Sequence, residues 1–210
     1  MDIAIPLLVL ALALLHFQKR GMHPISIDFI LLLFFASQVV LNTVANVLQN
    51  QTINNHWVYH TNSFCSQLIF TYLFYALFRH ESKRAIILGG LLLYAVFFTF
   101  NILFLQPITV FNSYSYALGA LIIVVYGLLA FSWWIQVVPA LNLLSLKEFW
   151  AFAGVMFYFG SSFFILITYQ YLSIVSPEDV GVLWKMHNIF LTIGCLLFLK
   201  AIMCKKWIQR

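Results

Sequence analysis

Two sets of polar side chains lie inside otherwise apolar segments, and any chemistry would have to sit there. Gln38, Asn42, Asn46 and Gln49 are spaced by four, four and three residues, which aligns them on one face of a helix. His60, Ser63, Gln67, Thr71 and Tyr75 repeat the pattern in the next segment. Amides and hydroxyls so placed either hydrogen-bond between helices, for about 1 kcal/mol each, or line a polar interior surface. Consecutive antiparallel elements are usually neighbours, so the two faces are expected to meet. The pocket they would form opens outward and takes a small ligand, with Asn42, Asn46, Gln49, His60 and Gln67 as its walls. Asn101 and the pair His187 and Asn188 are expected to complete it from two further segments.

The same residues limit the catalytic readings. His56 and His60 are four apart, and His187 at a similar depth would complete a three-histidine site, but the spacing fits zinc ligation only loosely. No metal or other cofactor is assigned. A pH-sensing role asks less of the same imidazoles, which titrate near neutrality unaided. Position 191, four after His187, is leucine, so the histidine pair of the seven-helix zinc hydrolases is missing from the last segment. Lys185 lies near the end of that segment with no acid at mid-span, which argues against a retinal-type Schiff base. The acids Asp2, Asp28, Glu81, Glu148, Glu178 and Asp179 all fall in loops or at segment ends, so no carboxylate proton relay is expected.

The elements that must position these residues follow from composition. The chain has 210 residues, 63% hydrophobic and 8% charged, where a soluble domain has about 25% charged. A helix needs about 20 apolar residues to cross a bilayer, and breaks of charge, proline and amide divide the chain into seven such segments. The expectation is an all-α polytopic membrane protein, a seven-transmembrane-helix bundle forming one transmembrane domain over 1–210, with helices near 3–17, 25–49, 57–78, 85–105, 115–138, 149–173 and 180–203. Ile3 to Phe17 is followed, not preceded, by its basic residues and has no small-x-small cleavage site, so it is expected to be a retained first helix. Cys65, Cys195 and Cys204 fall in or at the ends of helices and imply no disulfide framework.

Charge sets the orientation. Lys19, Arg20, Arg79, Lys83, Arg84 and Lys147 fall in odd-numbered connections, Lys205, Lys206 and Arg210 in the tail, and the even connections hold no lysine or arginine. By the positive-inside rule the N-terminus is outside and the C-terminus cytoplasmic. The net charge of +5 therefore reports membrane orientation, and no nucleic-acid partner is expected. The tryptophans separate in the same way, Trp57 and Trp184 to outer ends and Trp133, Trp134, Trp150 and Trp207 to inner ends, as interfacial belts would.

Three stretches resemble a group of small, uncharacterised seven-helix integral membrane proteins of Bacteroidetes-type bacteria: His56 to Phe78 (HWVYHTNSFCSQLIFTYLFYALF), Glu148 to Ile167 (EFWAFAGVMFYFGSSFFILI) and Trp184 to Leu199 (WKMHNIFLTIGCLLFL). Similar proteins share an aromatic run after a histidine or tyrosine at helix 3, a Phe-Trp start with a Tyr-x-Gly segment at helix 6, and a His-Asn-like pair in helix 7. Ser66 or Gln67 stands where many of them carry a glutamate. The resemblance implies a bacterial inner-membrane protein associated with sensory signalling.

Together these readings lead to a non-enzymatic membrane receptor or sensory subunit. It would bind a small ligand in the outer half and signal to a separate membrane partner at the basic cytoplasmic face. The bilayer is its first partner, and anionic lipid could occupy that basic face instead of a protein. A small-molecule transporter or channel is the alternative, and an intramembrane metal-dependent lipid hydrolase the second alternative.

Overall fold

The computed structural model describes residues 2–18, 26–78, 81–137 and 143–204. Seven long helices account for nearly all of them: α1 (Ala4–Gln18), α2 (Ile27–Asn50), α3 (His56–Leu77), α4 (Glu81–Phe100), α5 (Ser113–Val137), α6 (Lys147–Val175) and α7 (Val180–Met203). No strand occurs among the described residues. Each helix falls within a few residues of its sequence-predicted segment, because the breaks are made of residues that hydrocarbon rejects. The connection 19–25, most of 138–146 and the basic tail lie outside the described residues, and with them most of the loop charges behind the orientation argument.

Five helical stretches are long and apolar enough to cross a membrane: α2, α4 with its extension to Leu105, α5, α6, and α7 with the turn before it. The other two depart for different reasons. Helix α1 has 15 residues, about 22 Å at 1.5 Å per residue, short of a hydrocarbon core of about 30 Å. Helix α3 is long enough but too polar, and its place explains why. It packs against α2, α4 and α5, and His60, Asn62, Ser63, Ser66, Gln67 and Thr71 are all buried. The polar groups sit on the side of α3 that its neighbours cover, while Trp57, Leu68 and Tyr72 remain exposed on the other side.

Successive helices are neighbours, and α1 also packs on α7, closing the bundle into a ring. Helix α4 is the outlying member, with only 17% of its span buried. Helices α6 and α7 cross closely because Gly154 and Gly194 leave room: a Cβ on Gly194 would lie 2.8 Å from Tyr158 Cβ, and one on Gly154 would lie 2.6 Å from the Phe198 ring. Small residues at such a crossing let backbones approach where lipid supplies no hydrophobic drive. The middle of the bundle is a block of phenylalanine: Phe34, Phe35, Phe70, Phe159 and Phe198 are almost wholly buried, with Phe34–Phe70 and Phe70–Phe159 centroids 5.1 and 4.7 Å apart.

Two interfacial assignments change. Trp134 does not join a belt; it is buried at 1% exposure and packs against Phe149 and Phe152, because its side chain turns toward α6 while neighbouring Trp133 stays partly exposed. Lys147, read from sequence as a loop cation, is the first residue of α6 and forms a buried ion pair with Asp28 in the first turn of α2. A lysine and a carboxylate brought to one bundle end neutralise each other, where either alone would be costly.

Candidate functional site

At the opposite end from that ion pair the bundle opens into a vestibule of about 570 Å³, within the range of small-molecule sites. Its rim is polar, with Gln49, Asn54, Asn55 and His56, and its walls are aromatic, with Tyr59, Phe111, Tyr169 and Trp184. The rim is shaped by the end of α2. Ile53 N donates to Leu48 O at 2.9 Å and Thr52 N to Gln49 O at 3.0 Å, the paired bonds of a Schellman stop. That stop needs a left-handed residue, and Thr52 supplies it at φ 59°. Asn55 Nδ2 then donates back to Ala45 O, and Asn54 Nδ2 reaches across to Thr109 O.

Phe111 enters the wall because the α4–α5 connection is tied down by amides. The last residues of α4 widen into a π-helical turn, Asn101–Leu105, closed by Gln106 N donating to Asn101 O at 2.7 Å. Asn101 Nδ2 donates to Asn112 Oδ1 at 3.2 Å and to Gln106 Oε1 at 3.3 Å. Gln106 Nε2 donates to Ser113 Oγ and to Gln170 Oε1 on α6. His60 Nε2 bonds Val110 O at 3.0 Å, fixing the residue before Phe111.

Below the vestibule, Tyr59, Phe111 and Trp184 form a septum of near-perpendicular rings, with centroids 5.3 Å (Tyr59–Phe111), 5.8 Å (Tyr59–Trp184) and 5.9 Å (Phe111–Trp184) apart. Beneath it lies a small cavity of about 20 Å³, large enough for about one water. Asp2, Gln38, Asn42, Asn62, His187 and Asn188 surround that cavity. Asn188 Nδ2 donates to Asp2 Oδ1 at 3.3 Å, and Asn42 Nδ2 donates to Asp2 O at 3.0 Å. Burial pushes the Asp2 carboxyl up, but bonds from its own backbone and from Trp184 are among the contacts that outweigh burial and leave it below its ordinary value. His187 stacks on Trp184 at 5.3 Å and 24°, with Ser162 Oγ 3.4 Å from its Nδ1. Septum and deep cavity thus share one part, the Trp184–His187 stack.

The structure distributes the sequence-predicted site residues over several places. Asn42, His187 and Asn188 meet at the deep cavity, and Gln49 lines the vestibule. His60 and Asn101 hold the α4–α5 connection and line neither cavity. Asn46 is exposed on α2, away from both. Gln67 is fully buried, with Nε2 3.4 Å from Thr71 Oγ1 and with Gly119 of α5 beside its Oε1. The two polar faces do not meet: Ser63 bonds Tyr94 of α4 at 2.6 Å, so that face of α3 looks at α4 and α5. The face toward α2 is one residue round, where Asn62 and Gln38 exchange amide bonds of 2.8 and 3.2 Å and Gln38 Nε2 lies 3.4 Å from Ser66 Oγ. Adjacency gave the right pair of helices but not the rotation of α3, which its third neighbour decides.

Asp2, Tyr59, Asn62, Phe111 and Trp184 were missed as site residues. The aromatics read as belt or core, and only the long-range pairing of Asp2 with Asn188 marks residue 2. The imidazoles do not gather: among the described residues no group of three His, Cys, Asp or Glu could hold a metal ion.

No family model, curated protein or solved structure matches the chain. Composition, the five membrane-length helices and the helical bundle define its class directly, that of an integral membrane protein.

Proposed function

We propose that this protein is a non-enzymatic membrane receptor or sensory subunit that binds a small ligand in the vestibule. One observation carries the reading: the vestibule is floored by the Tyr59–Phe111–Trp184 septum, with the phenylalanine block of the bundle beyond it. Amide rims and aromatic walls suit a ligand with a flat or apolar body and hydrogen-bonding edges. Trp184 and His187 both stand on α7, so a ligand pressing on Trp184 bears directly on the helix that crosses α6 on glycine. Such a helix shift is the small movement that packed interfaces amplify.

In this reading all seven helices span a bacterial inner membrane, with α1 and α3 held by the bundle. The vestibule faces outward, and a separate signalling partner meets the basic cytoplasmic face. The test is thermal stability of the full chain in detergent against a panel of amino acids, nucleosides and monosaccharides. A compound that raises the midpoint for the natural protein, but not for Trp184→Ala or Tyr59→Leu, supports the vestibule. If no compound does so, the receptor reading fails. Uptake of a stabilising compound into proteoliposomes above protein-free vesicles would make the protein a transporter instead.

A further inference from the structure

The end of the bundle that holds the Asp28–Lys147 pair has a second recess, a groove of about 300 Å³ between α4 and α5. Lys83 sits over it, its Nζ 5.1 Å from the Trp133 ring centroid and 5.4 Å from that of Phe78. Two ring faces hold the ammonium by cation–π attraction, while no carboxylate among the described side chains pairs with it. Gln136 brings an exposed amide to the same recess, and Ile86 and Leu129 continue its wall as apolar surface.

The other described cations at this end are differently engaged. Lys147 is neutralised by Asp28. Arg84 donates from Nε to Phe78 O at 2.6 Å and lies over Tyr75. Lys200 covers Trp150 and lines no part of this groove. Among these described cations, Lys83 is the one that combines two ring faces, a neighbouring amide donor and an apolar channel. Helix α4 is the least buried of the membrane-length helices, and it is joined to α5 beside the groove where Tyr126 donates to Ile87 O at 2.6 Å and its ring fits against Gly90.

From this placement we infer that the groove is a binding site for one anionic phospholipid of the adjoining leaflet. The phosphate meets Lys83 Nζ and the Gln136 amide, and an acyl chain lies along Ile86 and Leu129. The depth agrees, since Trp133 is an interfacial residue type and a lysine near an anionic surface favours such lipid. The site lies at the far end from the vestibule, so its loss would leave the receptor reading untouched.

Native mass spectrometry of the full chain, supplied with equal amounts of dioleoyl phosphatidylglycerol and dioleoyl phosphatidylcholine, tests the assignment. The natural protein is expected to retain phosphatidylglycerol preferentially. Lys83→Gln should lower that preference about fivefold, the effect of one surface lysine, whereas Lys83→Arg should keep it and Lys200→Gln should leave it unchanged. Equal retention of the two lipids would overturn the site. So would an undiminished preference in Lys83→Gln, or inorganic phosphate at millimolar concentration displacing the lipid, which would show an ion site with no acyl component. Should Lys83→Gln fail to fold, Gln136→Leu and Ile86→Trp, which remove the amide and fill the channel, carry the same expectation.

Discussion

At the scale of residues, polar groups in this protein are stabilised by partners far away in sequence. Asp28 and Lys147 are 119 positions apart and nearly buried, and each offsets the charge of the other. Removing one partner of such a pair leaves an uncompensated buried charge, at a cost of about 3–5 kcal/mol, while replacing both with apolar groups is often neutral. Lys147→Met is therefore expected to lower stability by that amount, and adding Asp28→Leu to recover most of it. Reversible denaturation of Lys147→Met, Asp28→Leu and the double variant checks this as a double-mutant cycle; a loss in the double variant equal to the sum of the two single losses would show that the pair is not coupled. Only part of this scale is legible in the sequence. Asn42, His187 and Asn188 gather in space as their spacing and depth suggest, but Asn46, on the same helix period as Asn42, and Asn101 line neither the vestibule nor the deep cavity, because an amide serves equally well as loop tie, surface group or site wall.

At the scale of elements, helix existence follows from apolar run length, and helix contact from side-chain volume. Gly154 and Gly194 carry no signal in the sequence that separates them from Gly89 or Gly160, yet they set how closely α6 and α7 cross. Gly194→Ala would place a methyl 2.8 Å from Tyr158 Cβ, which no side-chain rotation can relieve, so the helices must separate. Overpacking of this kind costs about 1–3 kcal/mol, more than the alanine's gain of about 1 kcal/mol in helix propensity. Gly89, where an added Cβ would meet nothing within 4 Å, is the control. Gly89→Ala is expected to hold or raise the thermal midpoint, and Gly194→Ala to lower it; the reverse order would mean that the close crossing does not matter to stability. The π-helical turn Asn101–Leu105 has no sequence signal, because it answers to the amides of the following loop, whose positions depend on α6.

At the scale of the whole molecule, the vestibule lies at one end and the Lys83 groove at the other, so orientation in the membrane decides which compartment each one meets. The positive-inside assignment predicts the vestibule outside. With Cys65, Cys195 and Cys204 replaced, a cysteine at Asn54 should react with a membrane-impermeant maleimide on intact cells, and one at Ser82, also exposed, only after lysis. The opposite pattern would turn the molecule over, place the vestibule in the cytoplasm and defeat the reading as a receptor for external ligands.

What the sequence alone determined is the class and the element map. Transfer of a residue into hydrocarbon depends on that residue and its immediate neighbours, so a run of apolar side chains declares a membrane helix without knowledge of the fold. Seven helices with ends within a few residues were readable on that ground, of which five prove long and apolar enough to cross a membrane. The tertiary structure decided what depends on how each helix is turned about its axis: that Asn62 rather than Gln67 meets Gln38, that Trp134 faces inward, that Tyr59, Phe111 and Trp184 floor the vestibule, and that residue 2 reaches α7. Rotation about a helix axis is set by all the neighbours packed against it at once, and a residue spacing reports the face of one helix without saying which neighbour that face will meet.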